Sequence, residues 1–387
     1  MKKQLLPQHL LNVCLTTLLS ISMILISNNV FSQQADTSLL KLLDMDMEKV
    51  LELQQGGRGD AGGFGHRLGD EESKIAIHGY TTNEYVDQEG TKGRNKFDNH
   101  YFNVFISGQI GKKLFAEIQL EYEHAGTELG ARYAQVDYKL HDLLVIRTGK
   151  FLVPISTFNE YLYPEYINKT WNRPYANYDI IPVAWAETGV QLRGQYKMKD
   201  ITPYYAIYMV NGLEGPEGGK IRNMRDNADE ANHPNKAVGG KIGFTYKGLE
   251  VSGGAYNGKY TKDGKLNLYI GAADVIYKGK ALSVRGEYAL ANMEKWVIAD
   301  STKSMIDRHA TSITAAYIIK KRFEPVVRHE LLNYGSTDES KTKSRLTVGL
   351  NYLITNTANI KLSYEIITNK VKEVDDNRIA IQMAIGF

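Results

Sequence analysis

The fold is decided by the stretch RIAIQMAIGF, residues 378–387, in which every second residue is large and apolar. The large apolar residues are Ile379, Ile381, Met383, Ile385 and Phe387. The residues between them are polar or small: Arg378, Ala380, Gln382, Ala384 and Gly386. Successive side chains of a β-strand point to opposite faces of a sheet, so this pattern predicts a strand with one apolar face.

The same period of two recurs along the chain from Lys74 onward. It is clear in LFAEIQLEY (114–122), SRLTVGLNYLI (344–354) and NIKLSYEII (359–367). We predict about sixteen such strands, the first at 74–87 and the last at 378–387.

The predicted connections alternate between tight turns and long linkers. Gly111-Lys112-Lys113 and Lys247-Gly248 are tight, whereas residues 154–185 and 212–235 form long linkers. Short turns at one end and long loops at the other are typical of an antiparallel up-and-down barrel.

The composition favours a barrel that spans a membrane. The chain has 25 Tyr, 35 Gly and only 9 Pro in 387 residues, with a mean hydropathy of -0.35. Transmembrane β-barrels combine such a hydrophilic average with lipid contact because only alternate residues face lipid. A soluble β-sandwich shows the same alternation, but strands of about 9 to 14 residues suit a tilted membrane crossing better.

The N-terminal residues predict export. Lys2 and Lys3 precede an apolar stretch that contains the single cysteine, Cys14, and residues 1–32 are predicted to be a signal peptide. Residues 33–73 are predicted to be a periplasmic segment with an amphipathic helix at 38–53 and a Gly-rich linker. Residues 74–387 are then an all-β, transmembrane up-and-down antiparallel β-barrel of about 16 strands in the outer membrane of a Gram-negative cell.

Two resemblances refine this prediction. RIAIQMAIGF resembles the C-terminal strand of Gram-negative outer-membrane proteins, and this implies that Phe387 is an assembly signal read by the barrel-assembly machinery. The stretches IRTGKFLVPISTFNEY (146–161), NRP (172–174), IIPVAWAETGVQLRG (180–194) and YMVNG (208–212) resemble the phosphate-selective porin O/P type family of Bacteroidetes outer membranes. This second resemblance covers most of the barrel and implies anion uptake.

The linker 154–185 is the predicted constriction of the pore. It holds four of the nine prolines, Pro154, Pro164, Pro174 and Pro182. Proline limits flexibility and blocks strand pairing, and long loops without regular structure usually have a function. We predict that this loop folds into the lumen; a stiff external flap is the alternative.

The predicted pore-lining charges nearly cancel. From the polar face of the strands and from the constriction we select Arg147, Lys150, Lys169, Arg173, Glu187, Arg193, Lys241, Arg285, Glu287 and Arg328. Arg285 with Glu287, and Arg328 with Glu330, are predicted to pair along one face. Lys220, Arg222 and Arg225 in the next long loop are interpreted as solvated charges, with a phosphate filter as their alternative role. We therefore predict a general diffusion porin for small hydrophilic solutes, with at most a mild anion or phosphate preference.

Other functions are less consistent with the sequence. No Gly-x-Ser-x-Gly or other catalytic arrangement is present, so no enzyme is predicted. Asp226, Asp229, Glu230 and His233 match no known metal loop, and no metal or cofactor is predicted. The 47 basic and 44 acidic residues argue against a nucleic-acid partner. A non-conducting structural or adhesive barrel is the main alternative, and a homotrimer is possible by analogy with other sixteen-stranded porins.

Overall fold

The computed structural model shows a closed antiparallel β-barrel of sixteen strands, which confirms the predicted fold class. It describes residues 65–68, 71–90, 95–126, 128–225, 236–297, 302–335, 339–372 and 374–387. The predicted signal peptide and the predicted helix at 38–53 lie outside the described residues.

Seventeen strands, β1 to β17, follow one another along the described residues. They are β1 Gly65–Leu68, β2 Glu71–Gln88, β3 Lys96–Ile110, β4 Leu114–Glu123, β5 Glu128–His141, β6 Leu144–Leu152, β7 Ala186–Gln195, β8 Ile201–Val210, β9 Ala237–Tyr246, β10 Leu249–Lys259, β11 Asn267–Lys278, β12 Leu282–Val297, β13 Thr302–Tyr317, β14 Phe323–Asn333, β15 Lys343–Leu353, β16 Ala358–Asn369 and β17 Arg378–Gly386. From β2 onward each strand pairs with the next, and β17 pairs with β2 to close the barrel.

The burial pattern is the reverse of that in a soluble protein. On β17, the apolar side chains of Ile381 and Met383 are 49% and 39% exposed, whereas Gln382 between them is fully buried. The same inversion holds on β14, where Val327 is exposed and Arg328 is buried. The apolar face is therefore outside and the polar face inside, as a barrel in lipid requires.

The last residue is fixed at the closing seam. Gly79 N donates to Phe387 O at 2.8 Å, and Phe387 N donates to Gly79 O at 2.9 Å. The Phe387 ring lies on the outer face, 6.0 Å from the ring of Phe102 between centroids. A Cβ at Gly79 would lie 2.3 Å from the carbonyl oxygen of Asn103 and 2.8 Å from Phe387 Cζ, so a side chain there would displace the backbone of β3 as well as the ring.

The segment before the barrel differs from the predicted linker. β1 pairs with the start of β2, with Gly65 opposite Lys74 and Leu68 opposite Glu71. Gly and Asp separate these strands in the sequence, a composition that favours a tight hairpin. Alternation alone did not detect this hairpin because β1 has only four residues.

Helical structure is minor in the described residues. One α-helical turn, α1, covers Ile221–Met224, and single turns of other helix types include Phe158–Leu162 and Tyr175–Asn177. Among the described residues, no helix has the length and apolar character needed to cross a membrane.

The outward position of Val327 gives a test of the lipid-facing surface. A buried charge at the centre of a lipid-facing strand costs about 2–4 kcal/mol. We expect Val327→Arg to lower the free energy of unfolding from lipid vesicles by that amount in a denaturant titration. Val374→Arg, at an exposed loop position, is the control and should change it by less than about 0.5 kcal/mol. Equal effects of both variants would contradict a lipid-facing β14.

Candidate functional site

Residues 153–185, here called the inner segment, connect β6 to β7 and lie inside the barrel. Nearly all of their side chains are buried. They hydrogen-bond to inward-facing side chains on strands around the barrel, including Gln119 on β4, Asp274 on β11, Glu330 on β14, Glu365 on β16 and Gln382 on β17. The inner segment therefore crosses the lumen and reaches the opposite walls.

Wall side chains satisfy the backbone of the inner segment. Its prolines remove N–H donors and prevent strand pairing, so its polar backbone groups need other partners. Tyr175 N donates to Glu330 Oε1 at 2.7 Å, and Arg345 Nη2 donates to the carbonyl oxygen of Arg173 at 3.0 Å. Lys361 Nζ donates to the carbonyl oxygen of Glu165 at 2.5 Å.

One glycine allows the closest approach between the inner segment and the wall. A Cβ at Gly254 on β10 would lie 2.1 Å from the carbonyl oxygen of Ile155. At the neighbouring Gly253, the nearest atom to an added Cβ would be 3.7 Å away. The contact with Ile155 therefore requires glycine at the inward-facing position 254 but not at position 253.

Several predicted pore-lining charges are paired within the wall. Arg328 Nε donates to Glu330 Oε2 at 2.9 Å, as the two-residue spacing predicts, and Arg345 Nε donates to the same oxygen at 2.6 Å. Arg147 forms two hydrogen bonds to the carboxylate of Asp137, at 2.6 and 2.7 Å. These side chains are nearly completely buried, so the pairing compensates the loss of hydration.

A second group of predicted residues forms pairs between the wall and the inner segment. Lys241 Nζ donates to Glu160 Oε2 at 2.9 Å, and Lys169 Nζ donates to Glu324 Oε1 at 2.5 Å. Arg193 Nη2 donates to the hydroxyl of Tyr161 at 2.8 Å.

The remaining inward-facing residues of the prediction contact backbone or neutral groups. Arg285 Nη2 donates to the carbonyl oxygen of Ile167 at 3.4 Å. Glu287 accepts a hydrogen bond from Asn177 Nδ2 at 3.1 Å. Glu187 accepts from Trp185 Nε1 at 2.7 Å. Arg285 and Glu287 thus each contact the inner segment, and this contact was not predicted.

The structure corrects the predicted position of Lys150. It lies opposite Ala134 on β5 and Thr188 on β7, on the outward face of the barrel. Lys150 is three residues from the inward-facing Arg147, and an odd separation along a strand turns a side chain to the other face. Lys150 therefore does not line the pore.

Three guanidinium groups converge on one carbonyl oxygen. Arg173 Nη1 and Arg222 Nη1 each lie 2.9 Å from Val183 O, and Arg225 Nη1 lies 3.1 Å from it. Burial, together with the like charges of Arg225 and Arg173, lowers the pKa of Arg222 to about 10. We call Arg173, Arg222 and Arg225 the arginine cluster.

Sequence reasoning undervalued two of these arginines. Arg222 and Arg225 occur in the loop between β8 and β9 and were interpreted as solvated charges. Their convergence with Arg173 depends on the path of the inner segment, which no local pattern encodes. The residues Asp226, Asp229, Glu230 and His233 lie outside the described residues.

Comparisons with known proteins show the fold. No protein-family model matches the chain. An uncharacterized protein of Aquifex aeolicus (strain VF5) is 24% identical over 303 residues, which are 71% of this chain and 68% of that protein. The anion-selective porin from Comamonas acidovorans has a TM-score of 0.59 at 13% identity, with 82% of this chain and 100% of that chain covered. The trimer form of in-vitro folded OmpT of Vibrio cholerae has a TM-score of 0.57 at 12% identity, with 81% and 99% covered. The fold is that of a porin-type barrel.

Gly254 provides a test of the contact between the inner segment and the wall. Insertion of a methyl group into a packed contact costs about 1–3 kcal/mol, so we expect Gly254→Ala to lower the free energy of unfolding by that amount. The inner segment should also become more sensitive to added protease. Gly253→Ala is the matched control and should leave both properties unchanged. If Gly254→Ala behaves like the control, the inner segment does not press on β10.

Proposed function

We propose that the chain is an outer-membrane porin that conducts small hydrophilic solutes passively and prefers anions. The porin-type fold and the apolar outer face support insertion into the outer membrane, with lipid as the surrounding partner. The arginine cluster is the observation that supports the anion preference. No reaction step is needed for this function, and we propose no enzymatic activity.

The three guanidinium groups of the arginine cluster share one carbonyl oxygen, while Arg173 also donates to the hydroxyl of Tyr101 and Arg225 Nη1 lies 3.4 Å from Pro182 O. A carbonyl oxygen has two lone pairs, whereas Arg173, Arg222 and Arg225 all direct an N–H group at Val183 O. Like charges held this close repel one another, and a passing anion would reduce the repulsion. Guanidinium groups bind oxyanions such as phosphate or carboxylate through short charge-assisted hydrogen bonds.

Most other charges in the lumen are paired, so the expected preference for anions is mild. Lys241 and Lys169 are paired with carboxylates, and Arg328 shares Glu330 with another arginine. Such pairs contribute little net potential to the passage. Selectivity should therefore depend on the arginine cluster more than on the wall as a whole.

Three further assignments rest on resemblance to other proteins: phosphate as the preferred anion, Phe387 as an assembly signal, and a homotrimer. The phosphate-selective porin O/P resemblance makes phosphate the first anion to test. The seam contacts of Phe387 are consistent with its proposed role as the signal for the barrel-assembly machinery. A homotrimer is proposed because trimer-form OmpT has a similar fold.

Reversal potentials in planar bilayers test the proposal. With a salt gradient across the bilayer, the wild-type channel should show a higher permeability to anions than to cations. Arg222→Ala combined with Arg225→Ala should move the reversal potential toward equal permeability, because two of the three converging charges are lost. Arg322→Ala, in a turn at the other end of the barrel and exposed, is the control and should have no effect. A cation-preferring wild-type channel would contradict the proposal.

A non-conducting barrel is the second candidate, and the contacts of the inner segment favour it. Wall side chains facing the inner segment, such as Lys361, Glu330 and Glu365, are completely buried. A barrel closed in this way would give no steady current in the bilayer experiment. In that case, Gly254→Ala should produce current by loosening the inner segment.

A further inference from the structure

We propose that Glu84, His100 and Glu165 form a binding site for a divalent transition-metal ion such as Zn²⁺. These residues belong to β2, β3 and the inner segment. One ligand atom from each lies within 4.8 Å of the other two. The proposal concerns a bound ion and does not depend on whether the barrel conducts.

The distances between the ligand atoms fit a zinc ion. His100 Nδ1 lies 3.3 Å from Glu84 Oε1 and 3.7 Å from Glu165 Oε1. Zinc binds histidine nitrogen and carboxylate oxygen at about 2.0–2.2 Å, so tetrahedral ligand atoms are about 3.4 Å apart. The two separations from His100 are close to this value, and the ligand atoms of the two carboxylates lie within 4.8 Å of each other. Three protein ligands would leave one position for water.

The ligands are already oriented by a shared neighbour. Gln382 Nε2 on β17 donates to Glu84 Oε2 at 2.9 Å and to Glu165 Oε2 at 2.8 Å. Each carboxylate thus has one oxygen held by the amide and directs the other toward His100. Outer partners of this kind commonly fix metal ligands in place.

Two buried carboxylates give the site its negative charge. Glu84 and Glu165 are almost completely buried, and Arg173 and Lys361 compensate part of the charge of Glu165. His100 Nδ1 is buried and makes no well-formed hydrogen bond. A doubly charged ion would neutralise both carboxylates and would bind the neutral form of this nitrogen.

The site is accessible to solvent. The side chain of His100 keeps 22% of its surface exposed, and its ring stacks on that of His124 at 5.0 Å between centroids. His124 is itself partly exposed. A bound ion would tie the inner segment to β2 and β3, next to the closing seam.

Equilibrium dialysis of the purified, detergent-solubilised barrel against Zn²⁺ tests the site. The protein should carry no polyhistidine tag, because such a tag binds zinc. Glu84→Gln and His100→Ala should each lose one bound Zn²⁺ per chain relative to the wild type. Gln382→Leu should retain the ion with roughly 10–100-fold weaker affinity, because it removes only an outer partner.

Two control variants distinguish zinc binding at the proposed site from zinc binding by other histidines. His329→Ala removes an outward-facing histidine of β14, and His233→Ala removes the one in the acidic loop stretch. Neither should change the zinc bound at the proposed site. Circular dichroism of every variant should confirm that the barrel is folded.

Limited proteolysis tests whether bound Zn²⁺ holds the inner segment against the wall. Zn²⁺ should slow cleavage of the inner segment by added protease in the wild type and should have no such effect in Glu84→Gln. If the wild type binds no zinc, or if His100→Ala retains the full amount, a protonated histidine pairs with the two carboxylates and the proposal is overturned.

Discussion

The structure depends on one constraint: inside a bilayer every backbone N–H and C=O group must find a partner within the protein. A sheet with free edges cannot meet this requirement, and the pairing of β17 with β2 removes both edges. The reciprocal backbone hydrogen bonds between Gly79 and Phe387 complete that pairing at its end. Closure then determines the two faces. The outer face becomes apolar because it meets lipid, and the polar side chains that remain are directed inward.

The inward-facing polar wall explains how the inner segment can be irregular and still buried. Buried loops are rare because their backbone polar groups lack partners. Here Glu330, Arg345 and Lys361 supply those partners from three strands. Arg345 also pairs with Glu330, and other charges of the wall pair in the same way, so the charges of the wall largely cancel. The prolines prevent the segment from adding a strand to the sheet, and the wall then fixes its path by specific hydrogen bonds.

The barrel was predictable from the sequence because its signal is repeated and local. Alternation in about sixteen segments gives the strands, and their number and class agree with the structure. Arg147 and Lys241 belong to the polar set of their strands. The two-residue alternation alone placed them on the correct, inward face. Lys150 was assigned to the constriction, but it lies an odd number of residues from the inward-facing Arg147 and therefore faces outward. The arginine cluster could not be predicted, since its geometry depends on where the inner segment and the β8–β9 loop meet.

The two proposed sites are close enough to influence each other. Tyr101 links them: its ring stacks on His100 at 4.1 Å between centroids, and its hydroxyl accepts a hydrogen bond from Arg173 at 3.1 Å. Without a metal ion, Glu84 and Glu165 oppose the positive potential of the arginine cluster. A divalent cation would neutralise those carboxylates, and the cluster would then attract anions more strongly. Because Tyr101, Arg173 and Glu165 between the two sites are buried, screening between the sites is weak. The charge at the zinc site would therefore be one determinant of the anion preference.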